Sequence, residues 1–289
     1  MMQLVLGLDL GTSGVRTAVL NRNGELLHSR STNYSSGLDQ SQDWQTACSS
    51  LIREIPESLR QRLAAIAVDG TSGTLLPCTR DGHALGPALL YSEACPEQAR
   101  QLATLVPSSS PAASPSGSLA RALRLLERHP QLELLRHQAD WINGWLLQDW
   151  RWGEEGNNLR LGWDLQQTAW AGCMAQQSWA AALPEVRSSG TGLGCIDPCI
   201  ANALGVPADL QVVAGTTDSN AAVLAANPGV GDGITVLGTT LVMKRFTRQP
   251  IQGPGITQHR IGTRWLCGGA SNAGAGVLRR YFSDAQLDE

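Results

Sequence analysis

No stretch of this 289-residue chain is long and apolar enough to span a membrane, and no stretch is strongly basic. The first absence argues against an integral membrane protein. The second, with a formal net charge of -3, leaves no electrostatic footprint for nucleic acid. The N-terminus, Met1-Met2-Gln3, lacks the basic and clean apolar regions of a secretion signal. There is no C-x-x-C pair. Seven scattered cysteines, the closest being Cys195 and Cys199 around Pro198, read as free thiols in a reducing compartment rather than as a disulfide framework or a metal centre. A cytoplasmic protein with no membrane or nucleic-acid partner is expected. Two common phosphate motifs are also missing. Gly11 is not followed by a G-x-x-x-x-G-K-[ST] pattern, and no G-x-G-x-x-G follows the first strand. Gly190-Thr191-Gly192-Leu193-Gly194 is glycine-rich but reads as a plain loop.

What is present is enough apolar material, 42% of residues, for one large domain or two ordinary ones. Its most informative segment comes first. The apolar run Leu4 to Leu10 delivers one carboxylate, Asp9, to its end, and the chain then turns on Gly11-Thr12-Ser13-Gly14 into a second apolar run, Val15 to Leu20. Two glycines flanking two hydroxyls suit a phosphate and its magnesium, because backbone N–H groups in tight turns form anion-binding nests.

Asn23-Gly24 marks a second hairpin turn into Glu25 to Arg30, so the chain opens as an antiparallel meander. A dinucleotide-binding fold would place a helix after its first strand. A helix is expected from Asp43-Trp44 to about Leu59, interrupted near Pro56. Leu63 to Val68 is a buried strand ending in Asp69-Gly70-Thr71-Ser72-Gly73-Thr74, with a return strand at Leu75 to Cys78. Pro107 to Ser118 reads as a loop, and Leu119 to Arg128 and Ala139 to Leu147 are helical by spacing. Residues 141 to 179 hold seven of the nine tryptophans; such rings stack on sugars, but more often they pack a helical layer. Pro207 to Ala214 is a strand leading to Gly215-Thr216-Thr217-Asp218-Ser219 and an alanine-rich helix, which Asn227-Pro228-Gly229 breaks. A domain boundary is placed there, giving domains 1–228 and 229–289. Beyond it, Gly233 to Arg245 and Thr263 to Cys267 read as strands, and Gly268 to Asn272 opens a last helix through Arg280.

Asp9, Asp69 and Asp218 share one context: each follows an apolar strand and sits among Gly, Ser and Thr. A single such Asp is most simply a turn former or, for Asp218, a helix cap. Three together point to a site on the rim of a sheet, where clefts form. A second glycine-hydroxyl turn, Gly238-Thr239-Thr240 after Leu237, echoes the first.

With these segments in order, the chain resembles the FGGY family of sugar kinases within the actin-like ATPase superfamily. The resemblance is carried by L-G-L-D-L-G-T-S-G-V-R at 6–16, A-V-D-G-T-S-G-T at 67–74, A-G-T-T-D-S at 214–219, V-L-G-T-T-L-V-M-K at 236–244 and W-L-C-G-G-A-S-N at 265–272. It is strongest toward the small D-ribulose and xylulose-type pentulose kinases of cyanobacteria and plants. Asp69-Gly70-Thr71-Ser72 stands where xylulose kinases carry a Q-M-H-G-type segment, which favours ribulose over xylulose.

The resemblance implies an α/β fold, an actin-like (ribonuclease H-like) ATPase domain with an incomplete second domain of the same type. It implies ATP and Mg2+ as cofactors and a pentulose as partner. Gly11, Thr12 and Ser13 would contact the nucleotide phosphates, and Asp9 would hold magnesium through water. Gly238 and Thr239 would cover the phosphates from the second domain. Asp69, Gly70 and Ser72 would bind the sugar, and Asp218 would be the catalytic base that takes the proton of the attacking hydroxyl. About 60 residues follow Pro228, and the family's adenosine-binding segment has no counterpart among them. A truncated kinase is therefore the leading expectation. A non-catalytic sugar-binding remnant is the alternative, and an actin-like ATPase or chaperone fragment is disfavoured by the loop at Asp69 to Thr74.

Overall fold

A computed structural model describes residues 3–229, 231–237, 241–271, 274–283 and 286. The chain divides into two compact units, Met1–Ser219 and Asn220–Glu289.

The first unit opens with three strands, Leu4–Leu10 (β1), Gly14–Leu20 (β2) and Leu26–Asn33 (β3), joined as the expected antiparallel meander. In β1, Leu4, Leu6, Leu8 and Leu10 are buried while Val5 is exposed, the period-two pattern of a strand with one covered face. The helix Ser41–Glu54 (α1) covers that face with Trp44, Ala47, Cys48, Leu51 and Ile52, a stripe at helical spacing. It ends at Ile55, whose backbone turns extended ahead of Pro56, and a short helix Glu57–Arg60 (α2) resumes beyond.

Leu63–Gly70 (β4) then lies parallel to β1, and Leu75–Cys78 (β5) returns to pair later with Leu134–His137 (β6). Ala99–Leu105 (α3), Ser118–Arg128 (α4) and Gln138–Leu147 (α5) follow the expected helical stretches and add one more. Trp152–Glu154 (β7), Trp163–Asp164 (β8), Ala169–Trp170 (β9) and Glu185–Arg187 (β10) form two small ladders around the short helix Glu155–Asn158 (α6). The tryptophans of this stretch are divided between two apolar clusters: Trp141 meets Trp44 edge-on at 5.9 Å in one, and Trp170, in the other, meets Trp163 at 5.4 Å.

Gly192–Cys195 (β11) precedes Pro198–Leu204 (α7). Asp197 caps that helix by accepting from the Cys199 and Ile200 N–H groups, and Gly205 ends it in a left-handed conformation. Gln211–Thr217 (β12) completes the frame, and Asp218–Ala225 (α8) follows it directly, with Asn220 onward belonging to the second unit. The strand starts and ends later than the expected 207–214, because Thr217 still pairs with Gly70 of β4. The resulting six-stranded sheet has the order β11-β12-β4-β1-β2-β3, with β12, β4 and β1 parallel. α1, α5 and α7 contribute to the core on its covered face.

The second unit carries the antiparallel sheet β13-β14-β16-β15, built from Gly233–Leu237 (β13), Leu241–Thr247 (β14), Thr257–Ile261 (β15) and Arg264–Ser271 (β16). Its small core joins Val223, Ile261 and Leu266 to Ile234 and Phe246. Two expectations need correction. Gly268 to Ser271 do not open a helix; they continue β16, where Gly268 pairs with Lys244 so closely that a Cβ would sit 2.2 Å from the Met243 carbonyl oxygen. Among the described residues of 268–280, Ala275–Arg280 is helical, as 3-10 turns. The polar strand β15 was not anticipated either. Among the described residues, no helix is long and apolar enough to cross a membrane, and all seven cysteines are free.

One glycine holds the central strands together. A Cβ on Gly215 would lie 2.0 Å from the Val68 carbonyl oxygen, at the irregularity where β12 meets β4. Gly215→Ala is expected to destabilise the protein by about 1–3 kcal/mol through overpacking against backbone, measured as a lower urea midpoint at unchanged slope.

Candidate active site

The three carboxylates singled out in the sequence come together. Asp9 and Asp69 are direct register partners on the parallel strands β1 and β4. Thr217, the residue before Asp218, pairs with Gly70, the residue after Asp69. Adjacent strands lie about 4.8 Å apart, so Asp9, Asp69 and Asp218 stand side by side at the carboxyl ends of three neighbouring parallel strands. Ligands collect at this rim in parallel sheets, because the loops diverge there and leave a crevice.

The electrostatics follow from that crowding. Burial is the main cause that pushes the Asp69 carboxyl up to about 8, aided by the Asp9 charge, a hydrogen bond shared with Asp9, and the Asp218 charge. Asp69 is thus mostly protonated at neutral pH and bridges toward Asp9. Its Oδ1 is buried without a hydrogen-bond partner among the described residues. Such an atom is costly unless a ligand satisfies it. Asp9 also meets Arg16, its cross-strand neighbour, at 2.9 Å. Asp218 starts α8 and accepts from the Ser219 N–H at 2.6 Å.

The turn after β1 is closed by a Gly11 N–H to Gly14 carbonyl bond of 2.9 Å, which leaves Thr12 and Ser13 exposed at its tip. Gly14 has no room for a side chain, since a Cβ would meet the Thr32 carbonyl oxygen at 2.1 Å. In the loop after β4, Gly70 is buried against the start of α5, and Ser72 is half-buried. Gly73 adopts a φ of +101° and offers its carbonyl to the buried Arg121 at 2.9 Å. Gly238 and Thr239 lie outside the described residues.

Several residues here had no signal in the sequence. Gln138, fully buried, accepts from both the N–H and the hydroxyl of Thr71, at 3.0 and 2.8 Å. Tyr34 receives the Gln138 side-chain N–H at 3.1 Å. Tyr91 reaches Thr12 at 3.4 Å. Only Arg16 had a legible cue, as the hairpin partner of Asp9. A wide surface pocket lined in part by Arg80, Arg136 and Trp150 contains none of the predicted site residues.

A cluster of carboxylate oxygens suits a hard divalent cation such as magnesium, which keeps several of its waters. Among the described residues, no three such side chains are close enough to ligate a metal directly. The arrangement fits a cation held through water, with the unsatisfied Asp69 oxygen left for a hydroxylated ligand.

No protein-family model matches the chain. Solved structures do. A ligand-bound xylulose kinase from Lactobacillus acidophilus superposes with a TM-score of 0.80 at 17% identity, covering 100% of this chain and 64% of that one. A xylulose kinase from Rhodospirillum rubrum gives 0.82 at 20% identity, covering 96% and 62%. A glycerol kinase from Plasmodium falciparum, solved with ADP, gives 0.79 at 15% identity, covering 98% and 64%. The chain shares the α/β fold of these structures. The chain spans just under two thirds of the length of these structures.

The raised Asp69 pKa fixes a sign for the pH dependence of stability. The folded state keeps a proton that the unfolded state has released, so stability is greatest below about pH 4 on this account and falls as pH rises toward about 8. Buried Glu154, also pushed up to about 8, contributes in the same direction. Asp69→Asn should flatten part of this slope and raise stability at pH 8 relative to wild type, as read by urea unfolding at pH 5 and pH 8.

Proposed function

We propose that this chain carries the acceptor and phosphate sites of a sugar kinase that transfers the γ-phosphoryl group of ATP to the terminal hydroxyl of a pentulose, D-ribulose. The observation that carries the reading is the alignment of Asp9, Asp69 and Asp218 on the ends of β1, β4 and β12. The sugar-kinase fold supports it, as does the sequence pattern around each of these residues.

In this reading the exposed turn at Gly11, Thr12 and Ser13 receives the phosphates through its backbone N–H groups and hydroxyls. Asp9 orients the hydration shell of Mg2+. The magnesium ion, when bound, neutralises charge on the transferring phosphoryl group. Gly238 and Thr239 are assigned to the phosphates by their sequence pattern alone. Asp69 and Ser72 hold sugar hydroxyls, with Gly70 letting the backbone approach; a protonated Asp69 can donate as well as accept. Asp218 accepts the proton of the attacking hydroxyl and keeps it in line. Phosphoryl transfer needs little more from the protein than position and charge, so a base that takes its proton late is sufficient.

A sugar-binding chain without transfer activity is the second reading. Titrating D-ribulose and MgATP separately into the 289-residue chain distinguishes them. Binding of both with formation of pentulose phosphate supports the kinase; sugar binding alone supports the second reading. D-Xylulose in parallel reads the sugar preference. For an active chain, Asp218→Asn should lower kcat on the order of 10²–10⁴-fold, and near-full activity would remove Asp218 from its role.

A further inference from the structure

The phosphate turn after β1 and the acceptor loop after β4 belong to different connections, yet side chains tie them together. The backbone N–H of Thr71 donates to Gln138 Oε1 at 3.0 Å, and the Thr71 hydroxyl donates to the same oxygen at 2.8 Å. A backbone N–H can only donate, so the orientation of the Gln138 amide is fixed: its oxygen faces the acceptor loop and its nitrogen faces away. That nitrogen donates to the Tyr34 hydroxyl at 3.1 Å. The Tyr34 backbone N–H in turn donates to the Ser13 carbonyl at 3.0 Å. A second path returns on the other side: the Thr71 and Thr74 hydroxyls meet at 2.7 Å, the Tyr91 N–H donates to Thr74 Oγ1 at 3.3 Å, and the Tyr91 and Thr12 hydroxyls meet at 3.4 Å.

The first path is the more constraining. Gln138 is 0% exposed and Thr71 is 1% exposed, so their polar atoms have no water to fall back on. Gln138 also sits at the start of α5, whose next residue packs directly on Gly70. Its position is therefore set by the helix, and the loop is hung from it.

We propose that Gln138 and Tyr34 are positioning residues that hold the acceptor loop 69–74 in fixed register with the phosphate turn 11–14. They act through Thr71 and Ser13 rather than by touching the reacting atoms. The kinetic part of this inference rests on the kinase reading above; the structural part does not. In phosphoryl transfer the acceptor oxygen must be aligned with the phosphorus to within a fraction of an ångström, and small displacements cost rate rather than affinity. A strut between the two loops is the device that such alignment needs. Because Gln138 Nε2 occupies a lone pair of the Tyr34 oxygen, the tyrosine O–H proton points elsewhere and Tyr34 remains a donor at the border of the site.

Three variants of the full chain test this: Tyr34→Phe, Gln138→Leu and the double mutant. Amide hydrogen exchange is read without ligand in segments 11–14 and 69–74, with α7 as an internal control for intact folding. Tyr34→Phe lacks no atom that touches Thr71, yet it should speed exchange in segment 69–74 on the order of two- to tenfold, the worth of one hydrogen bond. The double mutant should be no faster than Gln138→Leu there, since both sit on one path. With an active chain, Tyr34→Phe should lower kcat by a similar factor while the KM for the sugar changes less than about twofold. Unchanged exchange in segment 69–74 of Tyr34→Phe, additive effects in the double mutant, or unchanged kcat would each overturn the proposal. If the wild type binds no sugar and no nucleotide, the kinase reading fails, and the exchange data still decide whether the strut exists.

Discussion

The structure depends on one electrostatic conflict. Three parallel strands run side by side and each ends in a carboxylate, so like charges are brought together at a partly buried edge. Nothing in folding rewards this. Burial and mutual repulsion keep Asp69 protonated into the neutral range, and its Oδ1 stays unsatisfied among the described residues. Proteins place such costs where a ligand will remove them. A cation beside Asp9 and a polyol at Asp69 would do so at once, and that is the physical content of the kinase reading.

The surrounding fold serves to keep these ends aligned. The apolar faces of β1 and β4 pack against α1 and α5, which prevents the strands from slipping in register. Glycines allow the closest approaches, with Gly14 against β3 and Gly215 against β4. α5 serves both ends of the problem. Its body is buried, with Trp141 and Trp145 in the core, while its first residue, Gln138, carries the acceptor loop. The aromatic segment is in this way mostly packing.

How much of this was legible follows from where the signals reside. The strands around Asp9 and Asp69 were readable because apolar alternation and glycine turns are local patterns, and the α1 break could be read from Pro56 alone. The carboxylates stood out because each shares its sequence context with the others. Strand β15 was missed because its first four side chains, Thr257 to Arg260, are polar and at most partly covered, so no alternation marks it. Gly268 was misread as a helix start because a glycine pair signals a turn, whereas here it allows two strands to meet closely. Tyr34 and Gln138 were illegible for a different reason. They lie 104 residues apart, and neither belongs to a motif. Their role exists only once the sheet has brought the two loops together.

The most direct measurement of the central claim is the titration of the aspartate side-chain carboxyls by carbon-13 NMR, with Asp69 assigned through the Asp69→Asn variant. The account predicts that Asp69 titrates near pH 8 in the metal-free protein, far above its ordinary 3.8, and that adding Mg2+ lowers this midpoint because a cation now shares the site with Asp9. An Asp69 midpoint near 4 without metal, or one that saturating Mg2+ leaves in place, would contradict it.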